Sequence, residues 1–269
     1  MKKLSARRRH PLAALVVLLF ALVASGGLYA ALAPAPKAQA DDSAQSLAIE
    51  QGKKLYSVGC ASCHGTSGQG SSDGPTLVGV GSAAVDFQVG TGRMPAQQPG
   101  AQIPKKKVIY DQAQIDQLAA YIASLGPGPS IPTKDQYSPA GADAAKGGEL
   151  FRTNCSQCHN FVGKGGALSE GKFAPSLKGV DPKHIYEAMQ TGPQNMPSFP
   201  DTTMPQDSKA DIIAYLNAVD TAKSENPGGF TLGALGPVPE GLFAWVFGLG
   251  AMLATATWVA ARTTKAKKS

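Results

Sequence analysis

Apolar residues form two uninterrupted stretches near the two ends of the chain. The first, residues 11–32, is 22 residues long and carries no charge. The second, residues 241–261, has Trp245 and Trp258 near its ends and is followed by a basic tail. A helix needs about 20 apolar residues to span a bilayer, and tryptophan favours the boundary between lipid and water. The pattern therefore predicts a membrane-spanning helix at each end.

The first stretch has two interpretations. An Ala-Gln-Ala sequence at residues 38–40, before Asp41, is typical of a signal-peptidase site. A signal peptide has an apolar core of about 7–15 residues, and the greater length here favours a retained anchor over a cleaved signal. Both alternatives leave the basic N-terminus in the cytoplasm and carry the following residues across. The basic C-terminal tail also stays inside, so we expect a multi-pass protein of the cell membrane with an extracytoplasmic body.

Between the apolar stretches the chain repeats itself. Each copy begins with a related segment that ends in Cys-x-x-Cys-His, continues with Pro-x-Leu-x-Gly-Val, and closes with apolar residues at helical spacing. The matched segments are residues 51–65 and 146–160, residues 74–80 and 174–180, and residues 116–125 and 210–219. Three matched blocks in one order predict two copies of a single unit, and chance is a poor explanation for them.

Segments rich in Pro and Gly separate these parts and predict linkers. The predicted order is an N-terminal anchor or signal segment (1–33), a linker (34–46), domain 1 (47–125), a linker (126–143), domain 2 (144–222), a linker (223–238), a transmembrane helix (239–262) and a cytoplasmic basic tail (263–269). The net charge is +6, but the basic excess lies at the two ends, while the body holds all 19 acidic residues. A nucleic-acid binder needs a basic face on its folded part, so we expect no nucleic-acid partner.

All four cysteines of the chain lie in two C-x-x-C-H motifs, which consist of Cys60, Cys63 and His64, and of Cys155, Cys158 and His159. This spacing suits covalent haem, with two thioether bonds and the histidine as an iron ligand. Zinc would need four converging ligands, yet each copy holds a complete set of its own. A disulfide or redox dithiol has no use for the histidine. We therefore predict two covalently bound haem c groups.

A methionine in each copy is the candidate for the opposite face of the iron, because a thioether stabilises ferrous iron and raises its potential. Met94 is the candidate in the first copy. In the second copy, alignment on the Thr-Gly pair before both loops selects Met196. Met204, close to the start of the last helix, and His184 are the alternatives, whereas Met189 falls in a helical segment and is expected to pack.

Each copy resembles a class I cytochrome c domain, on the strength of the C-x-x-C-H helix, the Pro-x-Leu loop, the Met-Pro loop and the closing helix. This resemblance implies an all-α fold for both domains. It also implies that the carbonyl oxygens of Pro75 and Pro175 accept the Nδ1–H of His64 and His159. Such a contact fixes the ring and raises its basicity as a ligand.

The whole layout resembles the dihaem cytochrome cc subunit of the actinobacterial menaquinol–cytochrome c reductase, the cytochrome bc complex. The resemblance implies an electron-transfer subunit of this translocase in the aerobic respiratory chain. It would pass electrons from the Rieske centre to an aa-type cytochrome oxidase, with no bond-making at its own haems. Its implied partners are cytochrome b, the Rieske iron–sulfur subunit and the oxidase, in a dimeric supercomplex.

Other interpretations remain open. A dihaem subunit of a cbb-type oxidase is typically anchored at its N-terminus, and the C-terminal span argues against it. A dihaem peroxidase needs one haem that opens for peroxide, and two Met-Pro loops argue against that. A haem-based gas sensor needs an output domain, and none is evident. Residues 105–107, three lysines in an insertion of the first copy, form either a solvated loop or a docking site for an acidic partner.

Overall fold

The computed structural model describes residues 11–32, 37–100, 102–221 and 237–266, and they are mostly helical. In chain order the helices are α1 (Pro11–Leu32), α2 (Lys37–Gly59), α3 (Ala61–His64), α4 (Gly81–Gly90), α5 (Gln112–Ser124), α6 (Lys134–Tyr137), α7 (Ala144–Asn154), α8 (Ser156–His159), α9 (Pro182–Thr191), α10 (Gln206–Thr221) and α11 (Pro237–Ala266). The all-α expectation needs one addition. A short antiparallel pair, β1 (Gly166–Ala167) and β2 (Phe173–Ala174), follows α8.

The described residues up to Leu47 and those from Ala48 onward form two compact units. In the first unit, α1 contains an apolar segment, Leu12–Tyr29, with a mean hydropathy of 2.4. In the second unit, α11 contains a longer one, Val238–Arg262, with a mean hydropathy of 1.7. No residue of either segment is buried within the described structure. Apolar helices without a protein cover fit a lipid environment, so both are candidate membrane helices.

The first domain has a core formed by α2, α4 and α5. Tyr56 of α2 lies against Tyr121 of α5 with their ring centroids 5.2 Å apart, and Leu118 is 1% exposed. Helix α5 begins at a capping box, in which Asp111 accepts from the backbone N–H of Gln114. The cap satisfies backbone donors that the first helical turn leaves free and so fixes where α5 starts.

The second domain repeats this arrangement with α7, α9 and α10. Phe151 stands where Tyr56 stands in the first domain, and its ring centroid lies 5.5 Å from that of Tyr215 on α10. Ile212 and Ile213 of α10 are each 1% exposed. Because the same apolar positions are buried in the same order, the repeat detected in the sequence is a repeat of structure.

A glycine sits where the first and last helices of each domain cross. A Cβ atom at Gly52 would collide with the backbone carbonyl of Gln117, and one at Gly147 would collide with that of Asp211. The two backbones are therefore in contact at the crossing, as only glycine permits. This contact explains why the glycine recurs at the matched position of both copies.

The linkers are more ordered than their composition predicted. Helix α2 already begins at Lys37, so most of the linker expected at 34–46 is helical. The linker at 126–143 contains α6, and its Ile131 and Tyr137 pack against the cores of the first and second domains respectively. Burial of these two side chains offsets the entropy of ordering a Pro- and Gly-rich segment. The linker expected at 223–238 lies almost wholly outside the described residues.

Candidate functional site

Each C-x-x-C-H motif forms a single helical turn. The backbone N–H of His64 donates to the carbonyl of Cys60 over 3.0 Å, and that of His159 donates to the carbonyl of Cys155 over 2.9 Å. Side chains three residues apart share one face of a helical turn. The turn thus presents two thiols on one side, with the histidine at its end.

The first thiol of each motif lies in surroundings that disfavour its ionised form. All four cysteines are free, and burial together with the neighbouring thiol raises the pKa of Cys60 and of Cys155 to about 11. A redox dithiol instead needs a lowered thiol pKa. Within the described part of the chain, the cysteines also join no group of three or more ligands close enough to hold a metal ion. The raised pKa of the first cysteine in each motif therefore does not favour a redox dithiol.

Both histidine rings are held by a proline carbonyl. Nδ1 of His64 lies 2.8 Å from the carbonyl oxygen of Pro75, and Nδ1 of His159 lies 3.1 Å from that of Pro175. Since a carbonyl only accepts, Nδ1 carries a proton in both rings, and Nε2 is the nitrogen left for a metal. Burial lowers the pKa of His159, while the bond to Pro175 opposes that shift, so this ring is neutral at pH 7.

The loop that carries each proline is fixed by two backbone hydrogen bonds that recur in both domains. In the first, Gly70 N–H donates to the carbonyl of the motif histidine over 2.8 Å, and Leu77 N–H donates to Gly68 over 2.7 Å. In the second, the corresponding distances from Gly165 and Leu177 are 2.9 Å and 2.7 Å. The proline carbonyl is thereby held in a preformed position beside the ring.

The two methionine loops start from equivalent positions. The hydroxyl of Thr91 donates to the carbonyl of Phe87 over 2.5 Å, and that of Thr191 donates to the carbonyl of Glu187 over 2.7 Å. In both domains the following glycine has a positive φ, 72° and 60°. The Thr-Gly pair used to align the two loops therefore occupies the same structural position in each domain.

The methionines differ in their burial. Met94 and Met196 are half-buried, and each packs against the core cluster of its own domain. Met204 and Met189 are members of the second core cluster, with 5% and 3% exposure. His184 lies on α9 with its ring edge-on to Phe87 of the first domain. Met204, Met189 and His184 thus have packing contacts in the described structure, and Met94 and Met196 stay the candidate iron ligands.

The donor set present in each domain fits a haem c. The first cysteine of each motif, Cys60 or Cys155, packs against the same core cluster as the candidate methionine of that domain. Two thiols can form thioether bonds, and an imidazole Nε2 and a thioether sulfur are the donors that haem iron takes as axial ligands. Apolar surroundings for these donors limit the access of water, which is one control on a haem potential.

A second group of chemistry-bearing residues joins the two domains and was not foreseen from the sequence. Asp86 of α4 meets Lys183, His184 and Glu187 of α9, and Gln112 Nε2 donates to Asp86 Oδ1 over 3.2 Å. The Lys183 ammonium lies 2.6 Å from Asp86 Oδ2, so its positive charge balances the negative charge of the Asp86 carboxylate. In the sequence these residues look like an ordinary solvated helix surface, and their burial comes from the packing of one domain on the other.

Comparison with protein families defines the class. The family described as "Cytochrome c" matches residues 49–126, and the family described as "Cytochrome C oxidase, cbb3-type, subunit III" matches residues 142–216. The chain is therefore a protein with two tandem cytochrome c domains, and its two C-x-x-C-H motifs imply the binding of haem c.

Full-length relatives define the family. A "Cytochrome bc1 complex cytochrome c subunit" of Mycobacterium tuberculosis is 47% identical over 96% of this chain and 93% of the relative. The subunit of the same description from Corynebacterium efficiens is 43% identical over 97% of this chain and 94% of the relative. The chain belongs to the actinobacterial cytochrome c subunits of the cytochrome bc1 complex, and it transfers electrons in the respiratory chain.

Two more distant likenesses carry less weight. The "Cbb3-type cytochrome c oxidase subunit FixP" of Bradyrhizobium diazoefficiens is 27% identical over 68% of this chain and 65% of the relative. A chain of a reducing HAO-like protein complex of Kuenenia stuttgartiensis shares 16% identity at a TM-score of 0.32, over 63% of this chain and 96% of that chain. The first is weaker than the likeness to the bc1 subunits, and the second is too small to bear on function.

Proposed function

We propose that each domain binds one haem c, held by Cys60 and Cys63 in the first domain and by Cys155 and Cys158 in the second. His64 and His159 are the ligands on one face of the iron. The observation that carries the proposal is the hydrogen bond of each histidine to a proline carbonyl, since it orients the ring and leaves Nε2 free for a metal.

Met94 and Met196 are the ligands on the other face. They lie in loops that start from equivalent Thr-Gly positions, and they are half-buried where Met204 is fully in the core. A haem c with one imidazole and one thioether ligand supplies reversible one-electron exchange at its iron. The residues of this chain hold the ligands in place and keep water away. With these ligands a haem iron would keep no open coordination position, so we expect no bond-making chemistry at either haem.

The route of the electron runs from the Rieske iron–sulfur subunit of a menaquinol–cytochrome c reductase, through the two haems, to an aa-type cytochrome oxidase. The subunit stands beside cytochrome b in a dimeric supercomplex with that oxidase. Attachment through α1 and α11 supports this role, because a tethered carrier meets its partners at a high effective concentration. Both helices cross the cell membrane, with the haem domains on the extracytoplasmic side.

Purification in mild detergent tests the route. The full chain, tagged and isolated with its native partners, is expected to bring down cytochrome b, the Rieske subunit and subunits of an aa-type oxidase. Quinol oxidation by the purified assembly should reduce both haems before oxygen is consumed. Isolation with cbb-type oxidase subunits, or turnover of peroxide by the chain alone, would contradict the proposal.

Paired leucine variants test the ligand assignment. Leucine replaces methionine with little change of volume but offers no sulfur. In Met94→Leu and in Met196→Leu, about half of the far-red sulfur-to-iron absorption band of the two-haem protein should vanish, because each variant loses one of two such ligands. Met204→Leu is the matched control and should keep the whole band. Retention in Met196→Leu with loss in Met204→Leu would reverse the assignment in the second domain.

A further inference from the structure

Residues 102–107, called the strap here, connect the methionine loop of the first domain to the second domain. One end is attached to the loop of Met94. The backbone N–H of Lys106 donates to the carbonyl of Gly92 over 3.2 Å, and its ammonium donates to the carbonyl of Pro95 over 2.5 Å. These two carbonyls lie on either side of Met94. A Cβ atom at Gly92 would collide with the backbone of Lys106, so the strap lies directly on this loop.

The other end of the strap grips the segment before Pro175. The side-chain amide of Gln102 pairs with both backbone groups of Phe173: its Nε2 donates to the carbonyl over 2.6 Å, and its Oε1 accepts from the N–H over 3.0 Å. Phe173 lies two residues before Pro175, whose carbonyl holds the ring of His159. A two-point pair fixes direction as well as distance, so Gln102 constrains the segment that orients this histidine.

The next residue of the strap is held by the methionine loop of the second domain. The side-chain amide of Gln194 pairs with both backbone groups of Ile103, with its Oε1 3.2 Å from the N–H and its Nε2 3.1 Å from the carbonyl. Gln194 lies two residues before Met196 and has a φ of 58°, a conformation uncommon outside glycine. This backbone conformation is part of the arrangement that lets its side chain reach the strap.

We infer that the strap is a positioning element, which holds the loops on both faces of the second haem in fixed relation to the methionine loop of the first. Two consecutive residues, Gln102 and Ile103, reach the histidine side and the methionine side of one site, and Lys106 reaches the Met94 loop. The inference rests on the proposed role of Met196 as an iron ligand.

The strap contacts matter for electron transfer because ligand orientation sets a haem potential, and a site loosened by an ångström loses that control. The four hydrogen bonds are solvent-accessible, so no single one is strong. They form two pairs, one on the histidine side and one on the methionine side of the site, and together these pairs constrain its geometry. Loss of the pairs should therefore alter the second haem and leave the first unchanged.

Substitution of the two glutamines tests the inference in the full-length, haem-loaded chain within its complex. In Gln102→Ala, Gln194→Ala and the double variant, redox titration should show a shifted potential for the second haem and an unshifted one for the first. Electron equilibration between the haems should slow several-fold in the double variant.

Gln51→Ala is the matched control. The Gln51 side chain accepts a hydrogen bond from Gln117 Nε2 over 2.6 Å, and it lies away from the strap. It should leave both potentials unchanged. An unshifted second haem in the double variant, or equal shifts of both haems, would overturn the inference. A full far-red band in Met196→Leu would instead contradict the proposed iron ligands. Failure of the inference about the strap can therefore be distinguished from failure of the ligand assignment.

Discussion

Asp86 of α4 and Lys183 of α9 meet across the contact between the two domains, with Oδ2 and Nζ 2.6 Å apart. The Asp86 side chain is 2% exposed, whereas that of Lys183 keeps 24%. Burial works against ionisation, yet hydrogen bonds with Glu187 and Lys183 hold the pKa of Asp86 below its ordinary value. A buried carboxylate with its countercharge on the other domain therefore fixes how the domains pack.

Removal of that countercharge should loosen the domain contact. Lys183→Met leaves the Asp86 carboxylate buried without its cation, at a cost of about 3 kcal/mol, the low end for a buried pair because Lys183 is partly in water. Thermal unfolding of the haem-loaded chain should show a lower midpoint. Lys178→Met is the control, since its partner Asp220 lies 3.6 Å away and both side chains are about a third exposed. It should change stability by less than ~1 kcal/mol, and equal losses in both variants would refute this account.

The stability of the folded protein should decrease as the pH rises, because Glu187 loses its proton. Burial first, then Asp86, raises the pKa of Glu187 from 4.5 to about 9, and as a carboxylate it has no donor among the described residues. The folded state thus favours protonated Glu187, which can donate to Asp86. This contribution is complete below pH 4.5, declines as the pH rises, and is lost above about 9. The charged and titratable groups that act on it are Asp86, Lys183, Asp181 and His184.

Glu187→Gln is the variant that isolates this effect. Glutamine keeps the shape and a donor but cannot ionise, so its unfolding midpoint should stay flatter between pH 5 and pH 9. The measurement should stay above pH 5, because protonation of Asp86 at lower pH reduces stability as the pH falls, which is the opposite dependence. Parallel midpoint curves for the unmodified chain and Glu187→Gln across that range would show that Glu187 is ionised in the folded protein.

Much of this architecture could be predicted because it depends on sequence patterns that are local. The apolar stretches, the C-x-x-C-H turns and the amphipathic closing helices each depend on residues close together in sequence. The repeat then allowed the two copies to be compared position by position, and Gly52 and Gly147 recur for the same close helix crossing.

The interface between the copies could not be predicted, because its residues have no local signature. Asp86 and Glu187 look solvated in the sequence, and only the docking of α4 on α9 buries them. The linker was expected to be irregular on composition, yet Ile131 and Tyr137 anchor it on the two cores. Of the three lysines at 105–107, the outer two are exposed as a solvated loop would be, while Lys106 is held by a backbone carbonyl.

Met204 should contribute to stability and not to the haem spectrum. It is 5% exposed within the second core cluster, so Met204→Ala removes buried methylene groups and leaves a cavity. Such a change costs about 2–5 kcal/mol. Chemical denaturation should show the loss, while the far-red band stays intact. A stable Met204→Ala protein that lacks half of the band would identify Met204 as a ligand.

The helix crossing of the second domain should tolerate no side chain at Gly147. A methyl group there meets the backbone of Asp211 on α10, which cannot move aside without shifting the helix. We expect Gly147→Ala to cost more than 1–3 kcal/mol, the usual range for overpacking, because rigid backbone is the obstacle. The helix-propensity gain of alanine over glycine, about 1 kcal/mol, does not offset that cost.

Gly148→Ala is the matched control, since its methyl group meets only the side chains of Tyr215 and Arg152, which can turn away. Comparison of the two unfolding midpoints by circular dichroism decides the matter, and a Gly147→Ala protein as stable as Gly148→Ala would show that α7 and α10 do not cross in contact.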